Sequence, residues 1–371
     1  MIRSLLACDD LPSSSYGTGQ RLLSLQRALA KLGECRILHL SNNAEGSNEA
    51  ADYRAPLPFD FRASRVAWAR RHLTFAEARR NDCYRALFQR IRNDYPFDLV
   101  LCSFFRNASV VPTDIAPCFI DLDAIPERTG LLTRALWPLT LRAMRRRTQD
   151  FQRIYVIRSS DAALFKTGAR NVRILPGISA TAPATPLPHN PDARRVLFIA
   201  PTGWPPNREA IDWLLAVDVP RALDALGFEL RLVGQGTEAF APRPGLSCGG
   251  FVKDLAAEYE AARLVLCPIW TGSGANIKLA EAVQFGRAVL ATAHSAAGFE
   301  GFLQPGRDLL TFDEREQFLP LLLASLRDSN RLRELEINAG QTARDFLNQA
   351  YIDRMVAEDA GRILGHHEPF R

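Results

Sequence analysis

The chain has 371 residues, 47% apolar and 23% charged, with a formal net charge of +5. This length exceeds one ordinary hydrophobic core and predicts two domains, and the composition is that of a soluble globular protein. No apolar run reaches the about 18 residues that a membrane-spanning helix requires, and the N-terminus reads as a first strand and not as a signal peptide.

The predicted elements alternate from the start. Strand Ile2–Cys8 leads to helix Gly17–Leu32, with Leu22, Leu25, Leu29 and Leu32 at helical spacing. Strand Cys35–Leu40 follows, then an arginine-rich helical region over 63–93. Further strands are expected at Asp98–Cys102, Pro117–Asp121, Arg153–Ile157 and Val172–Leu175. The second half repeats the alternation with strand Arg195–Ala200, helix Arg208–Ala216 and strands Glu229–Val233 and Leu246–Cys248. Helix Leu255–Ala261, strand Arg263–Ile269, helix Asn276–Phe285 and strand Arg287–Thr292 come next. Helices over 314–327, 330–347 and 351–363 close the chain. Strands alternating with helices predict parallel sheets.

Five prolines punctuate Pro176–Ala193, which reads as a hinge. The expected organisation is an N-terminal domain over 1–180, a linker over 181–193, a second domain over 194–347, and a C-terminal helix over 348–371 packing back on the first domain. Two doubly wound domains joined this way predict a cleft, with ligands beyond the carboxyl ends of the strands.

Charge is uneven. Residues 1–185 carry 27 basic and 17 acidic side chains, and residues 186–371 carry 19 and 24. The basic half is expected to meet something anionic. Its arginines interleave with Trp68, Phe75, Trp137 and Leu141, which suits solvated helix faces or contact with anionic lipid. No nucleic-acid motif accompanies them. The seven cysteines and six histidines show no ligand spacing, so they read as buried thiols and ordinary histidines, with no metal site and no disulfide framework.

One segment carries a distinct chemistry. Between two apolar strands lies "WTGSGANIKLAE", Trp270–Glu281. Its glycines leave backbone N–H groups uncovered at a helix N-terminus, which attracts phosphate. Lys278 can neutralise a phosphate, and Glu281, one turn on, can accept the two hydroxyls of a ribose. An ordinary surface ion pair is the alternative, and both side chains are expected to be partly exposed. In "GGFVKDL", the main chain at Phe251 and Val252 either turns a corner or faces a nucleobase. Gly17 and Gly19 either shape a tight turn or cradle an anion. Asp121 and Asp123 resemble a metal-binding pair but read as polar groups facing the cleft, or as a helix cap.

The run from Val196 to Asp328, densest over Gly250–Thr292, resembles the C-terminal domain of group 1 glycosyltransferases, the retaining family 4 enzymes of GT-B fold. "WPPN", Trp204–Asn207, resembles the branch that contains bacterial exopolysaccharide and cell-surface glycan transferases, as does "FIDLDAIPERT", Phe119–Thr129. The resemblance implies an α/β fold of two Rossmann-like doubly wound domains facing each other across a cleft, with C-terminal helices. It implies a nucleotide-sugar donor, UDP- or GDP-linked, used as co-substrate with no further cofactor. The acceptor would be a glycan or a lipid-linked compound, and the anomeric configuration would be retained. Glu281 matches the ribose-binding glutamate, and Lys278 a common basic position. Gly272, Gly274, Ala275 and Asn276 match the loop at the diphosphate and sugar, and Val252 the residue whose backbone reads the base. Ser273 stands where the broader pattern has a glutamate. The arginine and lysine pair usual after the first strand of the second domain is absent, and "TGWPPNRE" stands there, with only Arg208 basic. The expected catalytic group is thus Glu281 and Lys278 with Asp121 and Asp123. Substrate contacts are expected at Gly17, Gly19, Asn207, Arg208, Phe251, Val252 and the loop 272–276. The expected place of work is the cytoplasm, with peripheral contact at an anionic inner membrane face. A catalytically silent GT-B binding module and a sugar-nucleotide epimerase are the alternatives.

Overall fold

The structure is a computed structural model, described here for residues 1–13, 17–41, 51–56, 82–108, 110–123, 125, 131–165, 171–272 and 274–365. It divides into two compact units, Met1–Pro176 with Gln349–Arg371, and Gly177–Asn348.

Unit one is built on a parallel sheet of seven described strands: β1 (Ser4–Cys8), β2 (Cys35–Leu40), β3 (Tyr53–Ala55), β4 (Leu99–Ser103), β5 (Cys118–Leu122), β6 (Arg153–Val156) and β7 (Val172–Ile174), in the order β3-β2-β1-β4-β5-β6-β7. Strands β1, β4 and β5 are buried along their whole length, which is why they read as continuous apolar runs without alternation. Their side chains meet Phe88, Phe97, Ile91 and Phe151 in one core. Helix α1 (Gly17–Leu32) follows β1, α2 (Asp82–Asp94) precedes β4, and α3 (Leu131–Thr148) precedes β6. The arginine-rich stretch expected to be helical over 63–81 lies outside the described residues, while 82–94 is helical.

Unit two repeats the plan with β8 (Arg195–Ile199), β9 (Glu229–Val233), β10 (Leu246–Cys248), β11 (Ala262–Cys267), β12 (Val289–Thr292) and β13 (Leu310–Phe312), all parallel, in the order β10-β9-β8-β11-β12-β13. Between β8 and β11 the winding direction reverses. Crevices for ligands form at such reversals, beyond the carboxyl ends of the strands. The loop after β8 and the loop after β11 therefore flank one site. Strands β3 and β13 were not expected from the sequence. Each has three residues, too few to show a period of two.

The proline-rich stretch is not a free linker. Unit two begins at Gly177, and the segment is fastened along its length. Leu187 N–H donates to Phe285 O at 3.0 Å, Arg287 donates to Pro188 O at 2.6 Å, and His189 Nδ1 lies 2.5 Å from Glu336. Proline keeps its carbonyl free to accept, and Arg287 takes that of Pro188, while the Leu187 N–H is the segment's own donor.

The last helix, Gln349–Leu364, belongs to unit one. Gln349 donates to Ser24 O at 2.9 Å, and Lys31 pairs with Asp353 at 2.5 Å. Asp359, fully buried, meets Arg153 of β6 at 2.6 Å and Arg173 of β7 at 3.4 Å. Tyr155 O–H donates to the same carboxylate at 3.1 Å.

Candidate active site

The site in unit two rests on an aromatic cluster. Trp213 of the helix Pro205–Ala216 meets Trp270 edge to face at 4.6 Å, and Phe318 lies 4.9 Å from Trp213. This anchors the first residue of the glycine loop. Thr292 donates to Ile269 O, and Ser295 donates to the same oxygen at 3.3 Å. His294 Nε2 lies 3.0 Å from Gly272 O. The loop is thus held from the ends of both β11 and β12.

Gly272 has φ +116°, and a Cβ there would lie 2.8 Å from the Trp204 ring. Only glycine suits both the backbone and the close approach. Asn276 stands at the N-cap of the helix Ile277–Gln284 but places no side-chain bond on its N–H groups. Its amide instead donates to Ser295 Oγ at 3.2 Å. The first turn therefore keeps N–H donors without a side-chain cap, at the positive end of the helix dipole.

Lys278 reaches across to the start of the helix after β8. Its ammonium donates to Asn207 Oδ1 at 2.5 Å, and Asn207 is fixed by donating to Pro201 O at 2.8 Å. The ammonium lies 5.4 Å from the Phe198 ring centroid and 5.5 Å from that of Trp204, within cation–π reach. Burial lowers its pKa to about 8.

Glu281 differs from the expectation. It is 4% exposed, because the residue one turn beyond Lys278 faces the sheet and not the solvent. Its carboxylate accepts from Ser179 Oγ at 2.7 Å and from Tyr259 O–H at 2.9 Å. Burial raises its pKa, while these hydrogen bonds and the Lys278 charge lower it. The surface-pair alternative fails, since Lys278 bonds Asn207 and Glu281 bonds two hydroxyls.

Phe251 is 72% exposed, and Val252 half-buried, at the rim beyond β10. Gly250 just before them has φ +61°, its N–H held by Thr237 Oγ1 at 3.1 Å. Ala275 lies in the loop against Gly177 and Gly298, and Gly274 has φ +83°. Ser273 lies outside the described residues. Arg208 is not brought to the site's lysine. It pairs with Asp212 at 2.9 Å, and its guanidinium lies 5.0 Å from the Phe240 ring centroid.

In unit one the expected residues are differently employed. Asp121, at the end of β5, is 1% exposed and bonded to Arg21 of α1 at 2.6 and 3.2 Å. Arg21 also donates to Leu175 O and Pro176 O at 3.0 and 2.6 Å. Asp121 is therefore the counter-charge of a buried arginine, not an open catalytic or acceptor-binding carboxylate. Asp123 is half-buried and adds to the negative field on Arg21. Gly17 and Gly19 lie in the first turn of α1, and neither has a positive φ. They are helical residues at the N-terminal end of α1. Among the described residues, no three His, Cys, Asp or Glu side chains cluster as metal ligands. No described helix is long and apolar enough to cross a membrane.

The family model described as glycosyl transferases group 1 matches residues 193–328. Unit two carries a group 1 glycosyl transferase domain. The activity class of this glycosyl transferase domain is transfer of a glycosyl group. No curated protein matches the chain by sequence. Among solved structures, the chain is similar to sucrose-phosphate synthase from Thermosynechococcus elongatus, with TM-score 0.68 and 14% identity over 98% of this chain and 100% of that one. It is similar to the Anabaena protein HepE, solved in complex with UDP-glucose, with TM-score 0.64 and 13% identity over 98% and 100%. It is also similar to WaaG, a glycosyltransferase involved in lipopolysaccharide biosynthesis, with TM-score 0.60 and 18% identity over 98% and 100%. At these identities the likeness is one of fold, and the fold is GT-B.

Three residues of these arrangements escaped the sequence reading. Arg21 carried a usable signal, because it shares a helical face with Leu25, Ala28 and Leu32, where a charge needs a buried partner. Tyr259 and Ser179 carried none, lying 22 and 102 residues from Glu281 along the chain.

Proposed function

We propose that the chain is a retaining glycosyltransferase that uses a UDP- or GDP-sugar donor and a glycan or lipid-linked acceptor. The observation that supports this most is the placement of Lys278, the uncapped helix start and Glu281 together at the strand-order reversal of a group 1 glycosyl transferase domain. The donor diphosphate would lie against the loop 272–276 and the first turn of the helix Ile277–Gln284. Lys278 would carry the charge that develops as the diphosphate leaves, the main electrostatic task of the step. Glu281 would accept the ribose hydroxyls, since each carboxylate oxygen keeps a lone pair after its present bond. The rim at Phe251 and Val252 would meet the base. No side-chain base is required, because the departing diphosphate can take the acceptor proton. The reaction would be independent of metal, and the protein would work in the cytoplasm in polysaccharide biosynthesis, touching anionic membrane through unit one.

The test is incubation with a panel of UDP-, GDP- and ADP-sugars, following nucleotide release, with EDTA in a parallel series. Release from one donor, unchanged by EDTA, and a product of retained anomeric configuration would support the reading. Nucleotide binding without release would make the chain a silent binding module. Loss in EDTA, rescued by magnesium or manganese, would overturn the metal-independent step.

A further inference from the structure

Glu281 is nearly enclosed, and two hydroxyls from distant parts of unit two converge on it. Tyr259 comes from the short helix Ala256–Glu260, and its ring stacks on Phe285 at 4.2 Å and 14°. That stacking leaves the hydroxyl one direction, toward Glu281 Oε2 at 2.9 Å. Ser179 comes from the segment that opens unit two. Its N–H donates to Gln284 Oε1 at 2.9 Å, and its carbonyl accepts from Gln284 Nε2 at 3.3 Å. Gln284 thus grips the serine backbone from both sides and aims the Oγ at Glu281 Oε1 at 2.7 Å.

We propose that Tyr259 and Ser179 are positioning residues that hold Glu281 ionised and aimed, so that it can discriminate a ribose from a deoxyribose. This rests on the reading of Glu281 as the acceptor of the ligand's hydroxyls. A buried carboxyl without donors would take a proton near neutral pH and lose half its accepting capacity. Two O–H donors, one on each oxygen, favour the anion and leave one lone pair on each oxygen. Those two lone pairs suit a vicinal diol. The charged or titratable groups facing Glu281 are Lys278 on its own helix, Tyr259 on the preceding helix and Cys267 on β11. Burial acts most strongly on Glu281 and raises its pKa, while the two hydroxyl donors and the Lys278 cation oppose it, and burial keeps the Tyr259 phenol and Cys267 thiol protonated.

The experiment titrates UDP and 2′-deoxy-UDP, with GDP and 2′-deoxy-GDP alongside, into the parent, Glu281→Gln, Tyr259→Phe and Ser179→Ala, from pH 5.5 to 8.5. The parent should prefer the ribonucleotide about tenfold or more, the scale of a hydrogen bond to a charged group. Glu281→Gln should lose that preference. If it keeps the preference, or if the parent has none, Glu281 is not the hydroxyl acceptor and the donor reading fails first. With that reading intact, Tyr259→Phe should keep the preference at high pH and lose it as pH falls, at a higher pH than the parent does. The sign follows because removing a donor raises the carboxyl pKa, so protonation starts earlier on the way down. Ser179→Ala should shift the same way, and Ser179→Thr should restore the parent profile. Equal losses for both nucleotides at every pH, or no change at all, would overturn the proposal. A melting curve for each variant separates these outcomes from unfolding, and an unfolded Tyr259→Phe leaves the Ser179 pair to decide.

Discussion

The ammonium of Lys278 donates to Asn207 Oδ1 at 2.5 Å, joining the helix after β11 to the helix after β8. The bond spans 71 residues of sequence and crosses the point where the strand order of unit two reverses. It holds a positive charge between the Phe198 and Trp204 rings, beside the uncapped helix start.

Removing that charge should affect turnover more than donor binding, because the charge matters most as the diphosphate departs. Lys278→Ala should lower kcat by about 100-fold or more with a smaller change in KM, the scale seen when one such electrostatic donor is lost. The pKa near 8 also sets a pH limb. The ammonium is complete below that value and is lost as pH rises through it, so kcat should fall on the alkaline side. Lys278→Arg, which stays charged, should lack this limb. Steady-state rates from pH 6 to 10 decide the matter, and a parent profile flat through 9 would contradict it.

Gly272 and Trp204 should couple. A methyl at Gly272 meets the Trp204 ring at 2.8 Å and also forces a residue with a side chain into φ +116°. Gly272→Ala should cost about 1–3 kcal/mol of stability and shift the ring from Lys278. Trp204→Ala should relieve the clash but not the backbone strain, so the double variant should be less unstable than the two single changes summed. Thermal unfolding of the four proteins gives the coupling.

The Arg21–Asp121 pair is buried on both sides. Removing one partner leaves an uncompensated charge, so Arg21→Met or Asp121→Leu alone should destabilise by about 3–5 kcal/mol. The double replacement should recover most of that loss. If it also releases nucleotide at the parent's rate, Asp121 has no part in the chemistry. A slow double variant of parental stability would return Asp121 to the site.

Anionic vesicles should bind unit one. On α3, Leu139, Arg142 and Arg146 are exposed. Each arginine that reaches the surface adds about 1 kcal/mol, so Arg142→Glu with Arg146→Glu should sharply reduce co-sedimentation. Binding should also fall with salt. Binding that is indifferent to salt and to both changes would place the contact elsewhere.

Much of the fold is legible in the sequence itself. Continuous apolar runs such as Leu99–Cys102 and Val196–Phe198 are short and bounded by turn residues, which suits strands buried on both faces, and their alternation with helices pointed to parallel sheets. The glycine loop, Lys278 and Glu281 were legible for the same kind of reason. Uncovered backbone at a helix start is a local property, and all three lie within twelve residues of each other. What lay beyond local pattern was decided by tertiary structure. Lys278 was a surface lysine until Asn207 and two rings enclosed it. Glu281 was half of an ion pair until the sheet face buried it and Tyr259 and Ser179 claimed its oxygens. Asp121 was an open carboxylate until Arg21, 100 residues away in sequence, turned inward to meet it. The proline-rich stretch was a hinge until unit two supplied donors for its carbonyls. In each case the residue's type set what it could do. Its partner, brought close only by the winding of the sheet, set what it does, because burial removes water and leaves a polar group no choice but the neighbour that the fold provides.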